Sequence, residues 1–410
     1  MKKSCLIFIL VMLLILSACG GNAGDEPASA ASEATAVLPE EPPEPSEEAT
    51  AEESAEESRE AAVAAPELFV LSGPGGEFDI HTEDQALYLQ DVYTRAAAYA
   101  DGWHECSKPR SVRLEWTFDG ENADVTVFRV LLDTDGAFGS PREKLIPASE
   151  ERAAEFCNLF IGADYYWKVL AICGDKVFES GVSGFSTSSA APRNLNIEGV
   201  SNVRDVGGWI IDGSHRVKQG VVYRGAAFED ENYDTHITEE GVRRAREELG
   251  IKTEIELRWI TQKEIKSRSK SLLGGDVNYY EFEFSYNDEE LLEGNAKSIA
   301  RCFRTIANEK KHPVYYHCRI GTDRTGVLTY LLLGFLGVEK ETLLRDYLFS
   351  NFGYVGGNRS VDSIKKAYID IIDSYEGGTL QEKITWFLKN KCRLSDDVLN
   401  RVKELLTEEY

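Results

Sequence analysis

The stretch VYYHCRIGTDRTG, residues 314–326, decides the fold of the C-terminal half of this chain. The apolar residues 314–316 predict a buried strand, and residues 324–335 predict a helix. Gly321 lets the chain turn tightly between the two elements. A strand, a short loop and a helix in this order are typical of an α/β fold with a largely parallel sheet.

The same turn carries reactive side chains. The predicted strand leads into Cys318, and Arg324 opens the predicted helix. Backbone N–H groups at a helix N-terminus attract anions, and the same field lowers the pKa of a nearby thiol. The planar fork of an arginine can hold two phosphate oxygens. We therefore expect a phosphate site in which Cys318 is the nucleophile.

The spacing Cys-x5-Arg in HCRIGTDRTG, residues 317–326, resembles the signature of cysteine-dependent phosphatases. The stretches NVRDVGG (202–208) and VYRG (222–225) are similar to the opening of the bacterial tyrosine-phosphatase-like family. The resemblance implies an α/β domain with a central, mostly parallel sheet and flanking helices. It also implies a two-step reaction through a cysteinyl-phosphate, with no metal and no cofactor. No zinc or calcium pattern stands out in the sequence.

The resemblance assigns roles to the residues of the loop. It makes Cys318 the nucleophile, and it implies phosphate binding by Arg319, Ile320, Gly321, Thr322, Asp323 and Arg324. Thr325 matches the family hydroxyl that hydrogen-bonds the thiolate. We interpret His317 as a buried, hydrogen-bonded residue that helps to set the thiolate and does not act as a base.

The general acid is left open by the sequence. Asp288 follows a predicted strand where the family's mobile acid loop would lie, although it could equally begin a helix. Asp323 is the rival and could instead orient the water of the second step. Glu256 is a third candidate.

The stretch containing Asn202, Arg204 and Asp205 admits a structural interpretation. We expect a turn with an internal ion pair in preference to direct catalysis. The family role would be to brace the sheet beside the phosphate loop.

Lipid-directed relatives often have a lysine where this chain has Thr322, which weakens the case for polyphosphorylated inositol head groups.

The N-terminus resembles a bacterial lipoprotein signal. Residues 1–18 are basic at Lys2 and Lys3 and then apolar, and the apolar run of residues 6–16 is too short for a typical membrane span. The resemblance makes Cys19 the lipid-bearing residue, so we expect an extracytoplasmic, membrane-anchored lipoprotein. Residues 19–66 are rich in Ala, Glu, Ser and Pro and are predicted to be a disordered acidic tether. The alternative function for these residues is an acidic tail that binds substrate.

Two folded regions are predicted to follow the tether. Residues 67–190 contain alternating strands and resemble a fibronectin type III-like all-β sandwich, interpreted as a spacer or docking module. Residues 191–410 alternate strands and helices and carry the phosphatase motifs. The predicted helices of this region include residues 238–249, 288–307, 340–349 and 380–390.

Charge narrows the choice of partners. The chain has 410 residues and a formal net charge of -25, which argues against a general nucleic-acid binder.

We expect hydrolysis of phosphomonoesters, with phosphotyrosine in proteins as the first substrate class and phosphoinositides or inositol phosphates as the second. The alternative to an enzyme is a non-catalytic surface adhesin in which the phosphatase domain is inert. The sequence leaves the oligomeric state open.

Overall fold

The computed structural model describes residues 62–120, 124–233, 235–287 and 290–410. The predicted signal, Cys19 and the tether up to residue 61 lie outside the described residues, as does Asp288. Among the residues that the structure describes, no helix has the length and hydropathy needed to cross a bilayer.

The N-terminal region is rich in β-structure. Its elements are β1 (Val63–Ala64), β2 (Phe69–Ser72), β3 (Glu77–Phe78), α1 (Glu83–Gln90), β4 (Val112–Phe118), β5 (Val127–Asp133), β6 (Arg142–Pro147), β7 (Ala153–Phe156), β8 (Asp164–Cys173), β9 (Lys176–Glu179) and β10 (Ser183–Thr187). Two 3-10 helices span Pro66–Leu68 and Tyr93–Ala98.

Two sheets enclose the core of this region. One contains β2, β4 and β7, and the other is built around the long strand β8. In β4, buried and exposed residues alternate strictly, so that Leu114 and Trp116 face the core and Arg113 faces solvent. A period of two is what a strand with one buried face requires. The β-rich expectation is confirmed, and the fibronectin type III-like identity stays a prediction.

Two details of the N-terminal prediction are corrected. The region is not entirely β, because α1 and the 3-10 helix Tyr93–Ala98 lie between β3 and β4. A capping box between Thr82 and Gln85 explains why α1 begins where it does. In addition, β1 lies inside residues 19–66, the stretch predicted as tether, and it pairs with β9. Ordered chain therefore begins before residue 67.

The C-terminal region alternates strands and helices. Its elements are β11 (Arg204–Asp205), β12 (His215–Val217), β13 (Val222–Gly225), β14 (Glu229–Asp230), β15 (Thr235–His236), α2 (Glu239–Arg243), β16 (Thr253–Glu256), β17 (Asn278–Glu281), α3 (Ala296–Ile306), β18 (Val314–His317), α4 (Asp323–Leu336), α5 (Lys340–Phe349), α6 (Asp362–Ile364), α7 (Asp370–Asp373), α8 (Leu380–Asn390), α9 (Asp396–Leu406) and β19 (Thr407–Glu409). Two π-helical segments, Arg244–Glu248 and Lys365–Ile369, continue α2 and α6.

The central sheet of this region has the strand order β11-β13-β18-β16-β17. The pairings of β13 with β18, of β18 with β16 and of β16 with β17 are parallel, whereas β11 runs antiparallel to β13. The predicted α/β class is therefore confirmed. Because the parallel strands share one direction, the loops that follow β13, β16 and β18 meet at one edge of the sheet.

One helix prediction in this region is wrong. The helix expected over residues 288–307 begins at Ala296, after a 3-10 turn at Glu293–Asn295. Asn295 explains the late start, because its side chain bonds the Ser285 amide and the carbonyls of Ser285 and Leu291. Residues 290–292 are thereby held in a turn.

Candidate active site

The loop after β18 is held in a narrow space. Cys318 follows directly on this fully buried strand and is itself only 2% exposed. Gly321 has a φ of 69°, and a Cβ there would lie 2.3 Å from the carbonyl carbon of Gly225. Only glycine fits this conformation and this gap. The loop is therefore pressed against the end of β13.

The carbonyl groups of the loop are bonded on its supporting side. Arg319 O accepts from Ala227 N at 3.1 Å. Gly321 O accepts from Arg224 Nη2 at 2.7 Å. Ile320 O accepts from Asn202 Nδ2 at 3.0 Å.

This bonding sets the direction of the loop amides. In a trans peptide the N–H points opposite to the C=O, so the amides of residues 320–322 point away from this support. Three adjacent donors of this kind, next to the start of α4, are suited to bind a phosphate dianion.

The guanidinium of Arg324 is held by a residue that sequence reasoning missed. Its Nη1 lies 2.6 Å from Glu264 Oε2 and its Nη2 lies 2.8 Å from Glu264 Oε1, a bidentate ion pair. Burial alone would raise the pKa of the Glu264 carboxyl, but Arg324 outweighs burial and holds that pKa below its usual range. Glu264 therefore orients the guanidinium as a carboxylate.

A cleft of about 750 Å³ opens beside the loop. Five residues predicted from the sequence line it: Cys318, Arg319, Ile320, Asp323 and Arg324. The structure thus brings the expected nucleophile, the expected clamp and one candidate acid into a single cavity. Gly321, Thr322, Thr325 and His317 are predicted site residues that do not line it.

Further lining residues were not expected. They include Tyr233, Trp259, Glu264, Tyr286 and Arg359. Trp259 and Glu264 follow β16, which is paired with β18, so their nearness to Cys318 is a consequence of strand order. That order was the signal that could have found them, since the loops after neighbouring parallel strands share an edge. Arg359 has no comparable signal in the sequence.

Two predicted supporting residues, Thr325 and His317, are buried. The Thr325 side chain is 0% exposed and its Oγ1 has no hydrogen-bond partner among the described residues. Its thiolate-supporting role stays a prediction. His317 is also fully buried, with Nε2 2.9 Å from Glu254 Oε1 and Nδ1 3.7 Å from Glu256 Oε1. These contacts fit the buried, hydrogen-bonded residue that was expected.

The three candidate acids stand in different positions. Asp323 lines the cleft, accepts a hydrogen bond from Tyr347 at 3.2 Å and lies 3.7 Å from Arg359 Nε. Asp288 lies outside the described residues. Glu256 is fully buried and forms an ion pair with Arg258 at 2.7 Å.

The surroundings of Glu256 remove it from the candidates. Burial would raise the pKa of its carboxyl, but His317 and Arg258 overcome burial and keep that pKa below its usual range. Glu256 also does not line the cleft. A buried carboxylate of this kind has no proton to deliver to a leaving group.

The stretch beginning at Asn202 supports the loop, although the predicted internal ion pair is wrong. Arg204 pairs with Asp346, with Nε 2.9 Å from Oδ1, and not with Asp205. Asp205 pairs with Arg193 at 2.8 Å. Successive side chains on a strand point to opposite faces, so neighbours in β11 find partners on different sides. Asn202 lies directly against the loop, as a bracing role requires.

Residues 62–120, 124–233, 235–287 and 290–410 contain no group of three or more metal-ligating side chains. Every cysteine in the described part of the chain, including Cys318, is a free thiol.

Comparison with known proteins adds family evidence. A family model described as the tyrosine phosphatase family matches residues 195–410. The triple specificity protein phosphatase PtpB of Mycobacterium tuberculosis is 33% identical over 94 residues, which is 23% of this chain and 31% of that protein. The match thus spans about a third of the relative's length.

Two solved structures show low similarity to this chain. The catalytic core of the PP-IP phosphatase SIW14 from S. cerevisiae is 14% identical, with a TM-score of 0.27 over 41% of this chain and 90% of that chain. The fn3 domain of human collagen alpha-1(XX) is 14% identical, with a TM-score of 0.20 over 34% of this chain and 94% of that chain. Both scores are low, and the α/β class rests on the observed strand order.

Proposed function

The chain belongs to the tyrosine phosphatase family, and on that premise we propose that it hydrolyses phosphomonoesters through a cysteinyl-phosphate at Cys318. The observation that carries the proposal is that Cys318 and Arg324 line the same cleft. Beside them, the amides of residues 320–322 point away from the side chains that bond the loop carbonyls. A nucleophile, a cation and aligned N–H donors are the groups that phosphoryl transfer needs.

The proposed reaction has two steps. The Cys318 thiolate attacks phosphorus in line, the S–P bond forms and the P–O bond to the leaving group breaks. Arg324 and the loop amides hold the other phosphate oxygens, and the leaving oxygen takes a proton from a carboxylic acid. Water then attacks phosphorus and gives a proton to the carboxylate left by the first step; the S–P bond breaks, which releases phosphate and returns the thiolate. Asp323 is the acid that the cleft supports, and Asp288 remains the alternative.

Phosphotyrosine in proteins is the first proposed substrate class. The rings of Trp259 and Tyr286 lie 4.7 Å apart, and both residues line the cleft beside Arg324. Aromatic walls of this kind favour an aryl group attached to the phosphate. Inositol-type phosphates are the second candidate, because Arg319 and Arg359 add two further guanidinium groups to the same cleft.

The test is phosphate release by the full chain under reducing conditions with a chelator present. The substrates are an aryl phosphate, phosphotyrosine and phosphoserine peptides, phosphoinositides and inositol phosphates. We expect release that Cys318→Ser abolishes and that Cys173→Ser, at a thiol of the N-terminal region, retains. Absence of release from every substrate by a folded, reduced protein would favour the inert-domain adhesin instead.

Location is a separate proposal. We propose that the chain is exported, loses residues 1–18 and is anchored in the membrane through lipid on Cys19, with the acidic tether between the anchor and the folded part. The lipoprotein-like signal in the sequence supports this. Mass spectrometry of the N-terminal peptide should show a diacylglyceryl group, and Cys19→Ser should release the protein from membranes. A cytosolic chain with residues 1–18 intact would contradict the proposal.

A further inference from the structure

A segment of the N-terminal region lies inside the phosphatase region. Residues 82–107, here called the brace, comprise α1, the 3-10 helix Tyr93–Ala98 and the loop that follows. They connect β3 to β4 as an insertion between two sandwich strands. Their buried side chains contact the C-terminal region.

The brace shares the phosphatase core. Tyr88 is 0% exposed and belongs to the same hydrophobic cluster as Cys318. Its ring lies 6.0 Å from that of Phe349 and 5.8 Å from that of Phe352. The end of α1 is fastened as well, because Arg345 donates to the carbonyl of Tyr88 at 2.9 Å. Contacts of this kind hold the brace on α5 and the turn after it.

One hydrogen-bond path leads from the brace to the phosphate loop. The Ser107 hydroxyl accepts from Asn202 N at 3.0 Å, and Ser107 is only 4% exposed. Asn202 Nδ2 in turn donates to Ile320 O and Gly321 O at 3.0 and 3.2 Å. Asn202 has a φ of 58°, in the left-handed region that is uncommon for non-glycine residues and in which asparagine is enriched.

A second path leads to the mouth of the cleft. Gly102 N donates to Asn351 O at 2.9 Å, and Gly102 O accepts from Gly357 N at 3.1 Å. The Asn351 side chain then bonds both backbone groups of Arg359, at 2.6 and 3.0 Å. Arg359 lines the cleft and lies 3.7 Å from Asp323. The brace thus fixes the loop that carries a cation to the site.

We propose that the brace is part of the catalytic unit and that Ser107 is a positioning residue for the phosphate loop. It acts through Asn202, whose left-handed backbone and amide side chain together hold the carbonyls of residues 320 and 321. With those carbonyls held, the loop amides face the phosphate. The proposal rests on the phosphatase activity proposed above and assigns a catalytic contribution to a region outside the matched family domain.

The test compares Ser107→Ala with wild type in the full chain. Loss of the acceptor for Asn202 N should lower kcat/KM about fivefold and raise the inhibition constant of inorganic phosphate by a similar factor. The pH profile of Cys318 alkylation by iodoacetamide, followed by peptide mass spectrometry, should shift to higher pH. A serine that only stabilised the fold would not change the pH dependence of Cys318 alkylation. Ser107→Thr, which keeps the hydroxyl, should restore the wild-type values.

Two controls separate the possible outcomes. Ser111→Ala, at an exposed serine nearby, should leave all three readouts unchanged. Ser107→Cys, a weak acceptor of similar size, replaces the alanine variant if that variant does not fold. Unchanged kinetics, phosphate inhibition and alkylation profile in a folded variant would overturn the positioning role. An inactive wild type would instead refute the proposed phosphatase function.

Discussion

Glu264 and Arg324 form the contact on which the geometry of the cleft depends. The two oxygens of the Glu264 carboxylate accept from Nη1 and Nη2 of Arg324 at 2.6 and 2.8 Å. An arginine binds two oxygens of a phosphate in the same bidentate manner. The Glu264 side chain is 10% exposed and that of Arg324 is 6% exposed, so solvent screens the pair weakly. Arg324 is therefore fixed before any substrate arrives.

The stability cost of replacing Glu264 should depend on pH in a defined way. The lowered pKa means that the pair stabilises the fold above the unfolded-state pKa of about 4.3 and that this contribution fades as the pH falls through the folded-state value. Glu264→Gln should therefore cost about 2 kcal/mol at pH 7. The difference from wild type in urea unfolding should shrink below about pH 4.

A matched control uses Glu376→Gln, at an exposed glutamate, which should change the unfolding free energy by less than about 0.5 kcal/mol. A Glu264→Gln variant with the same deficit at pH 7 and at pH 3 would contradict the assignment of the pair as ionised.

Asp323 is expected to protonate the leaving group. Asp323→Asn should lower turnover of an alkyl phosphate by about 100-fold, because an alkoxide needs a proton to depart. Turnover of a nitrophenyl phosphate should fall by less than about tenfold, since that leaving group departs as an anion. Steady-state rates on both substrates provide the measurement. Should Asp288→Asn show this leaving-group dependence and Asp323→Asn not show it, the acid is Asp288.

At the scale of elements, α1 behaves as part of the phosphatase core. Thr82 and Gln85 begin it, and Tyr88 buries its ring against α5 and the turn that follows. A helix of eight residues is marginal in isolation, so its formation depends on this packing. The neighbour Leu87 is 47% exposed and faces away.

Two adjacent substitutions on α1 should therefore differ sharply. Tyr88→Ala should cost about 3–5 kcal/mol of unfolding free energy, because it leaves a cavity in a packed core. Leu87→Ala should cost less than about 0.5 kcal/mol. Equal effects of the two substitutions in chemical denaturation would show that α1 does not depend on this burial.

At the scale of the whole molecule, the sandwich and the α/β region belong to one compact unit. An ion pair and a hydrogen bond join them, since Arg142 bonds Glu248 at 3.0 Å and Arg193 Nε donates to the carbonyl of Leu159 at 2.9 Å. The predicted boundary at residues 190 and 191 stays a prediction, although the brace and these contacts cross it.

This arrangement predicts a single unfolding transition. Scanning calorimetry of the full chain should give one peak whose calorimetric and van't Hoff enthalpies agree, because loss of the brace removes core contacts from the α/β region. Tyr88→Ala should shift the whole peak to lower temperature. Two separated peaks, with only one moved by the substitution, would contradict the coupling.

Local signals were sufficient for several elements near the site. The helices expected over residues 340–349 and 380–390 have these bounds in the structure, and β18 and α4 flank Cys318 as expected. Apolar periodicity, capping residues and glycines act over a few neighbouring residues. The same range covers the Cys-x5-Arg loop, so the proposed nucleophile and the proposed clamp could be named from the sequence.

The sequence by itself therefore determined the α/β class, the phosphate loop and the family resemblance. Only the tertiary structure decided that Glu264 holds Arg324, that Arg359 reaches the cleft and that the brace supports Asn202. Glu264 is 60 residues from Arg324 in the chain, and Ser107 is 95 residues from Asn202. Such partners meet through strand order and core packing, which no local pattern of residues encodes.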